Sequence, residues 1–282
     1  MTELRDAVRR ATMTLAEAGI ASAPVDALHL AAHLLGQPVG EVRRRMVLGG
    51  IEAPDGYAEL VAERATRVPL QHLTGRAGFR HLELSVGPGV FVPRPETELL
   101  VELALRAVQD VGRPLVVDLA TGSGAVALAV KDECPPAQVF AVELSDLAHA
   151  WAVANRDRLG LDVAIVLGDA RTSFPELVGQ ADLVTCNPPY IPLDQVPVDP
   201  EVRDHDPKLA LYGGSADGLA LPLEMAARAA ELLRPDGVLV MEHAETQGAS
   251  LPRALAMAGP WGAVTDHVDL VGRPRCVVAV RV

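Results

Sequence analysis

From residue 114 onward, short apolar segments rich in β-branched residues alternate with segments of helical periodicity. The apolar segments cover 115–119, 138–142, 163–167, 182–186 and 237–241, and the helical segments cover 124–133, 145–158, 218–233 and 247–258. This alternation is typical of a parallel sheet with helices on both faces. Two last segments, 262–269 and 275–282, have no helix between them and predict an antiparallel pair at the end of the sheet. The sequence therefore predicts an α/β fold for this part of the chain.

The first seventy residues have a different pattern. Leu4, Val8 and Leu15 lie on one helical face, and Pro24 and Pro38 stand where first-turn prolines begin helices. A further helix is predicted over 55–67, with Pro69 closing the group. None of these helices is long enough to be stable alone, so we expect a small bundle. The predicted organisation is a helical domain at 1–75, a β-hairpin linker at 76–93 that contains a Gly-Pro-Gly turn, and the α/β domain at 94–282.

Residues 116–127 have the pattern of a strand, a glycine-containing turn and a helix. Gly122 and Gly124 allow the backbone to turn sharply and to approach a ligand that a Cβ would exclude. Glu143 ends the next predicted strand, where a carboxylate can accept hydrogen bonds from both ribose hydroxyls of an adenosine ligand. The pattern Gly122-x-Gly124-x-x-Ala127 also satisfies the dinucleotide fingerprint, so the loop alone is compatible with NAD or with S-adenosylmethionine.

Two aspartates bear on that choice. Asp118 enters the loop, where it would repel a pyrophosphate and attract the amino group of a methionine moiety. The structural alternative is that Asp118 only caps a neighbouring turn. Asp169 follows the third strand and is the natural partner for an adenine amino group, although a lone Asp is also common in turns.

The tetrapeptide Asn187-Pro188-Pro189-Tyr190 directly follows the apolar segment 182–186. Two prolines fix φ and remove two backbone donors, so the chain leaves the sheet rigidly and the Pro188 carbonyl is held in place. The Asn187 side-chain oxygen is a second fixed acceptor. Together these oxygens match the two hydrogens of a planar NH₂ group, which Tyr190 can cover by stacking.

This arrangement suits methyl transfer to a planar nitrogen. An amide or aromatic amine is a weak nucleophile because its lone pair is delocalised, and accepting both N–H bonds stabilises the positive charge that develops on nitrogen. Positioning and electrostatic preorganisation would then provide most of the rate. No metal is required, because a sulfonium donor leaves as a neutral thioether. An amide and an exocyclic amine present the same planar pair of donors, so both fit this arrangement.

Composition excludes several function classes. The 25 Lys and Arg stand against 37 Asp and Glu, a net charge of −12, which disfavours binding of duplex nucleic acid. The N-terminal sequence has no apolar signal region, and no apolar run approaches the length of a membrane span. Three separated cysteines form no C-x-x-C motif, as expected in a reducing compartment. We therefore expect a cytoplasmic protein with no membrane or direct nucleic-acid partner and no metal.

Several segments carry a family resemblance. The chain resembles class I S-adenosylmethionine-dependent methyltransferases, and more narrowly the HemK family of protein-(glutamine-N5) methyltransferases acting on peptide chain release factors. The segments that resemble this family are 69–75, the block Phe91-Val92-Pro93-Arg94-Pro95-Glu96-Thr97-Glu98, the tetrapeptide with Ile191, 214–219 and 272–275. The tetrapeptide also occurs in DNA adenine methyltransferases, so the block at 91–98 is the sharper signal.

The resemblance implies a Rossmann-like methyltransferase sheet preceded by a small helical substrate-docking domain. It implies S-adenosyl-L-methionine as the donor, S-adenosyl-L-homocysteine as the product, and release factors as partners. The glutamine of a Gly-Gly-Gln motif would be held by residues 187–190, with a pocket shaped by Phe91, Arg94 and Pro95. The candidate cofactor-binding residues are Asp118, Ala120, Thr121, Gly122, Ser123, Gly124, Glu143, Asp169, Ala170 and Asn187.

The sequence departs from the family pattern at four positions. Ala120 replaces the usual first glycine of the loop, a change that we expect to be tolerated with a negative φ. Glu143 stands where Asp is more usual, and Ala170 stands where relatives carry an aromatic residue. Ala244 replaces the glycine of the usual Glu-x-Gly.

Three other functions compete with glutamine methylation. Adenine methylation of nucleic acid would need a basic groove and an inserted recognition segment. The dinucleotide fingerprint favours an NAD-dependent oxidoreductase, and a catalytically inactive binding module of the same fold is the non-enzymatic reading.

His29 and His33 share a helix face, but Leu30 stands where a zinc protease needs Glu, so we predict no metal site there.

Overall fold

The computed structural model describes residues 2–282. The chain divides into two compact units, one containing the residues up to Arg76 together with Pro197–His205, and the other containing Ala77–Val196 and Asp206–Val282. The helices are α1 (Leu4–Glu17), α2 (Ala23–Leu35), α3 (Val39–Leu48), α4 (Tyr57–Ala65), α5 (Leu70–Thr74), α6 (Glu98–Ala107), α7 (Ala125–Glu133), α8 (Asp146–Leu159), α9 (Pro200–His205), α10 (Ala220–Leu232) and α11 (Ser250–Ala258). The strands are β1 (Arg76–Phe79), β2 (Leu82–Ser85), β3 (Leu115–Leu119), β4 (Gln138–Glu143), β5 (Val163–Leu167), β6 (Ala181–Cys186), β7 (Leu233–Glu242), β8 (Trp261–Val268) and β9 (Pro274–Arg281).

The first unit is built on α1–α5, and the predicted helical region is confirmed. Leu4, Leu15 and Leu30 are completely buried in its core. Pro69 was expected to close the group of helices, and this was wrong, because α5 begins directly after it. A proline lacks the N–H that is unsatisfied at a helix start anyway, so it ends one helix and begins another equally well.

A buried ionic cluster links α2 and α4 to α9 within this unit. Arg64 is 5% exposed, and its guanidinium lies 2.8 Å from Asp26 and 2.8 Å from Glu201. Arg67 also contacts Glu201 at 2.5 Å. Burial opposes the ionisation of Glu201, but hydrogen bonds with Asp199, Arg67 and Arg64 outweigh it and hold the pKa of the carboxyl below its usual range. Segment 197–205, which follows the Asn-Pro-Pro-Tyr loop in sequence, is therefore fastened to the helical unit by charge.

The second unit contains a seven-stranded sheet in the order β5-β4-β3-β6-β7-β9-β8. The pairs β3–β4, β4–β5, β3–β6 and β6–β7 are parallel, whereas β9 is antiparallel to both β7 and β8. Successive residues of β3 face opposite sides of the sheet. Val116 packs against residues of α6 and α7 on one side, and Val117 packs against residues of α10 and α11 on the other. The predicted α/β architecture and antiparallel end of the sheet are confirmed. The strands β1 and β2 form a separate two-stranded sheet.

The order of the strands fixes where a ligand can bind. The chain passes from β3 to β4 and β5 on one side, and then returns to place β6 on the other side of β3. At such a switch point the loops beyond the carboxyl ends of neighbouring strands diverge and leave a crevice. The glycine loop follows β3, Glu143 ends β4, and Asn187 follows β6, so three of the predicted elements lie at this edge.

The buried cluster gives a test of the first unit. We expect Arg64→Met to lower the free energy of unfolding by about 3–5 kcal/mol, because it leaves the Asp26 and Glu201 carboxylates buried without this partner. Urea denaturation followed by circular dichroism measures the change. The matched control is Arg44→Met, whose partner is Glu41 and whose side chain is 63% exposed; this variant should leave the midpoint of urea denaturation close to that of the unmodified protein. Equal effects of the two substitutions would contradict the structural role of the cluster.

Candidate active site

The loop after β3 turns through three residues with positive φ. These are Ala120 at 60°, Gly122 at 58° and Gly124 at 85°. A Cβ on Gly124 would lie 2.9 Å from Cδ1 of Leu128, whereas a Cβ on Gly122 would meet nothing within 4 Å. The expectation of a negative φ at Ala120 was wrong, because the backbone is already left-handed at the first residue of the loop. A non-glycine residue is strained in that conformation.

Asp118 lies on β3, directly before this loop. It is 1% exposed, and its two oxygens accept hydrogen bonds from the hydroxyls of Thr121 at 2.6 Å and Thr185 at 2.7 Å. Burial raises the pKa of Asp118 to about 6, although both hydrogen bonds oppose the shift, and the nearby Glu143 raises it further. Asp118 therefore stabilises the loop and joins β3 to β6. The first of these is the turn-stabilising role that the sequence also allowed.

Glu143 also faces the loop. Its Oε2 accepts from the Gly122 amide at 2.8 Å, and its Oε1 accepts from the Ser145 amide at 2.9 Å. Ser145 in turn caps α8 by accepting from the Ala148 amide. The carboxylate at the end of β4 is thus held against the glycine loop, and its role toward a ribose stays a prediction.

The remaining loop residues have different surroundings. Ser123 is buried, and its carbonyl accepts a hydrogen bond from Asn155 at 3.0 Å. Asp169 accepts from the Arg171 backbone amide and guanidinium, and these hydrogen bonds lower the pKa of its carboxyl. Ala170 is 7% exposed and packs in the core cluster that contains Phe174. If Asp169 accepts from an adenine amino group, its oxygens would do so while also accepting from Arg171.

The tetrapeptide leaves β6 as an extended loop with both prolines buried. Asn187 is half-buried, and its Nδ2 donates to the Thr97 hydroxyl at 3.4 Å. Its Oδ1 is the atom left to accept from a ligand. The Tyr190 hydroxyl donates to Oε1 of Glu242 at 3.2 Å.

The backbone of the tetrapeptide is held from behind. The Tyr190 amide donates to the Leu211 carbonyl at 3.1 Å, and the Tyr190 carbonyl accepts from Nε2 of Gln247 at 3.0 Å. Gly218, with φ of 72°, packs so closely that a Cβ there would lie 2.1 Å from the Tyr190 oxygen. Segments 211–218 and 244–247 thus fix the loop that carries the acceptor pair.

Phe91, Arg94 and Pro95 lie before α6. The Arg94 guanidinium stacks on the Phe91 ring at 5.0 Å and forms a 2.6 Å ion pair with the buried Asp206. Pro95 begins a short 3₁₀ turn that ends at Thr97, the partner of Asn187. The block at 91–98 is therefore connected to the tetrapeptide by a side-chain contact.

Sequence reasoning missed four residues of this region: Thr97, Asn155, Glu242 and Gln247. Glu242 ends β7, which pairs with β6, and it is the Glu of the Glu-x-Gly segment in which Ala244 replaces the glycine. Thr97, Asn155 and Gln247 hold the site through hydrogen bonds with residues distant in sequence, and no local pattern in the sequence predicts such contacts.

Among residues 2–282, no group of three or more His, Cys, Asp or Glu side chains is arranged to hold a metal ion. None of the helices in that range has the length and apolar character needed to cross a membrane.

Comparison with known proteins agrees with this architecture. Residues 116–198 match the family model of a methyltransferase domain, and residues 6–75 match that of a PrmC N-terminal domain. A methyltransferase from Pyrococcus furiosus has a similar fold, with a TM-score of 0.50 and 17% identity over 71% of this chain and 88% of that one. The fold and the edge of the sheet that carries the glycine loop define a class I methyltransferase.

Relatives of full length identify the family. A release factor glutamine methyltransferase of Streptomyces coelicolor is 50% identical over 96% of both chains. One from Mycolicibacterium smegmatis is 46% identical over 100% of this chain and 99% of its own. The chain belongs to the release factor glutamine methyltransferase family.

The strained loop residue gives a direct test. We expect Ala120→Gly to raise the free energy of unfolding by roughly 0.5 kcal/mol, because relief of the left-handed strain exceeds the entropy that glycine adds to the unfolded chain. Urea denaturation measures this change. Ala129→Gly in α7 is the control: it places glycine in a buried helix and should destabilise by about 1 kcal/mol or more. A loss of stability for Ala120→Gly as large as that of the control would contradict the left-handed conformation.

Proposed function

We propose that the protein transfers a methyl group from S-adenosyl-L-methionine to the side-chain amide nitrogen of the glutamine in the Gly-Gly-Gln motif of peptide chain release factors. The observation that carries this proposal is the pairing of two features at one sheet edge. Carboxylates surround the glycine loop after β3, and a braced pair of oxygen acceptors follows β6. Full-length relatives named for this activity support the substrate.

The residues at the loop fit a cationic adenosine cofactor. Glu143 lies close enough to Asp118 for its charge to raise the pKa of the Asp118 carboxyl, and Asp169 follows the neighbouring strand. A sulfonium and an ammonium group are attracted by such a cluster, whereas a pyrophosphate is repelled. We assign the amino group to Asp118, the ribose to Glu143 and the adenine amino group to Asp169. Residues 120–124 and Ala170 would form the rest of the site.

The acceptor pair fits a planar NH₂ group. In the proposed complex, Oδ1 of Asn187 and the carbonyl of Pro188 each accept one hydrogen of the glutamine amide, and Tyr190 borders the amide plane. Phe91, Arg94 and Pro95 would shape the pocket entrance. The helical unit would dock the release factor, since a protein substrate needs more contact area than one side chain provides.

When bound, S-adenosyl-L-methionine supplies an electrophilic methyl group. The acceptor pair would orient the amide so that its nitrogen faces that group, and it would stabilise positive charge on the nitrogen as the N–C bond forms. The S–CH₃ bond would break to give the neutral thioether, and the methylated nitrogen would lose one of its two protons to solvent. The rigid prolines and the bracing hydrogen bonds mean that little reorganisation is needed in the transition state. The mechanism requires no covalent intermediate on the protein.

The catalytic role of the tetrapeptide predicts the effect of Asn187→Ala. Loss of one preorganised polar group should lower kcat by about 100-fold or more. Transfer of labelled methyl to a bacterial release factor measures the change, and mass spectrometry locates the methyl group. A release factor with Gly-Gly-Glu in place of Gly-Gly-Gln serves as the substrate control and should remain unlabelled. Labelling of an adenine-containing duplex in place of the release factor would favour nucleic-acid methylation and contradict the proposal.

The electrostatics of the loop predict its ligand preference. S-adenosylhomocysteine at a hundred times its dissociation constant should stabilise the fold by about 2.7 kcal/mol, and NAD should not stabilise it. Thermal denaturation at a fixed protein concentration distinguishes the two ligands. Glu143→Ala is the variant to compare, because it should weaken the effect of S-adenosylhomocysteine. Stabilisation by NAD alone would support the oxidoreductase reading instead.

A further inference from the structure

A second buried carboxylate lies behind the tetrapeptide. Glu242 ends β7, is 1% exposed, and follows Met241, which pairs with Cys186 on β6. Its Oε1 accepts the Tyr190 hydroxyl at 3.2 Å. Its Oε2 is buried and has no hydrogen-bond partner among residues 2–282. The proposed transfer reaction assigns no role to this side chain.

Thr97 is a neighbour of both Glu242 and Asn187. It is 4% exposed, accepts from Nδ2 of Asn187 at 3.4 Å, and its hydroxyl lowers the pKa of the Glu242 carboxyl. A threonine hydroxyl has a single proton. If that proton is donated to a carboxylate, the oxygen can only accept from Asn187. The asparagine amide must then turn its NH₂ toward Thr97 and its oxygen away.

We propose that Glu242 is a positioning residue for methyl transfer: as a carboxylate, it holds the Thr97 hydroxyl as a donor and thereby fixes Asn187 with Oδ1 presented to the substrate. The same carboxylate holds the Tyr190 hydroxyl, so it orients both ends of the tetrapeptide. This inference rests on the proposed function, in which Oδ1 of Asn187 accepts from the glutamine amide. The unpartnered Oε2 of Glu242 is the atom that we assign as the acceptor for Thr97.

The surroundings of Glu242 make this orientation sensitive to pH. Burial raises the pKa of Glu242 to about 7; the neighbouring Thr97 and Tyr190 hydroxyls and the charge of Arg275 oppose the shift, and the charge of Glu96 adds to it. The other titratable groups that feel its charge are the buried thiols of Cys186 and Cys276. On α6, which packs on β7, Glu98 accepts instead from the Arg80 amide. A protonated Glu242 would itself become a donor and release the Thr97 hydroxyl to turn toward Asn187.

The direction of the pH effect separates positioning from packing. A carboxyl whose pKa is higher in the folded chain binds more protons when folded, so its contribution to stability falls as pH rises from about 4.5 to about 7. The positioning role has the opposite dependence, because only the ionised form orders Thr97 and Asn187. Activity that rises with pH through about 7 therefore cannot arise from a gain in stability through this group.

The test is the Glu242→Gln variant, which keeps the shape of the side chain and cannot ionise. We expect kcat for release-factor methylation to fall by about 10- to 100-fold, since small misorientation has effects of this size. The dissociation constant of S-adenosylhomocysteine should stay within about twofold, and the rise of kcat near pH 7 should disappear. Cys276→Ala is the matched control: it alters packing on the strand position paired with Glu242 and should preserve kcat and its pH dependence.

A second measurement does not depend on the substrate. The side-chain amide signals of Asn187 in ¹⁵N–¹H spectra should shift between pH 6 and pH 8 in the unmodified protein and remain fixed in Glu242→Gln. Unchanged kcat and pH profile in Glu242→Gln, or amide signals that do not respond to pH in either protein, would overturn the positioning role. Failure of the unmodified protein to methylate a release factor, with the pH-dependent amide shift present, would instead contradict the proposed function.

Discussion

Asp118 is the side chain on which both halves of the candidate site depend. One oxygen holds Thr121 in the glycine loop, and the other holds Thr185 on β6, two residues before Asn187. Because Asp118 and Thr185 are paired across adjacent parallel strands, this hydrogen bond also joins the strand before the glycine loop to the strand before the tetrapeptide. A displacement of either strand would separate the loop proposed for the donor from the acceptor pair proposed for the substrate.

Asp118 and Glu242 are the two carboxyl groups of the site that are almost completely buried, and they are retained at a cost in stability. Burial raises the pKa of Asp118 to about 6 and that of Glu242 to about 7. Ionised carboxylates without a cationic partner are unfavourable in such surroundings. A bound sulfonium and ammonium would supply the missing positive charge near Asp118, whereas Glu242 relies on hydroxyl donors and on the charge of Arg275. The first carboxylate is thus suited to attract a ligand and the second to orient neighbouring side chains.

Local patterns predicted the strands, the glycine loop and the tetrapeptide, because each depends on periodicity or on residues adjacent in sequence. The φ of Ala120 could not be predicted, since alanine adopts a left-handed conformation only where surrounding contacts impose it. The contacts of Thr97 and Gln247 with the tetrapeptide span 90 and 57 residues, and no local pattern encodes them. The fastening of segment 197–205 through Glu201 to Arg64 depends on a similarly remote ion pair.

These remote contacts explain why the tetrapeptide alone is a weak guide to the substrate. Its two proposed acceptors would fit any planar NH₂ group, so amide and exocyclic amine are equivalent to them. The surroundings of the acceptors carry more information. In the 91–98 block, Thr97 accepts a hydrogen bond from Asn187, and Arg94 stacks on Phe91 and pairs with the buried Asp206. Specificity should therefore depend on how that block positions and encloses the acceptor pair, and the full-length similarity to release factor glutamine methyltransferases includes it.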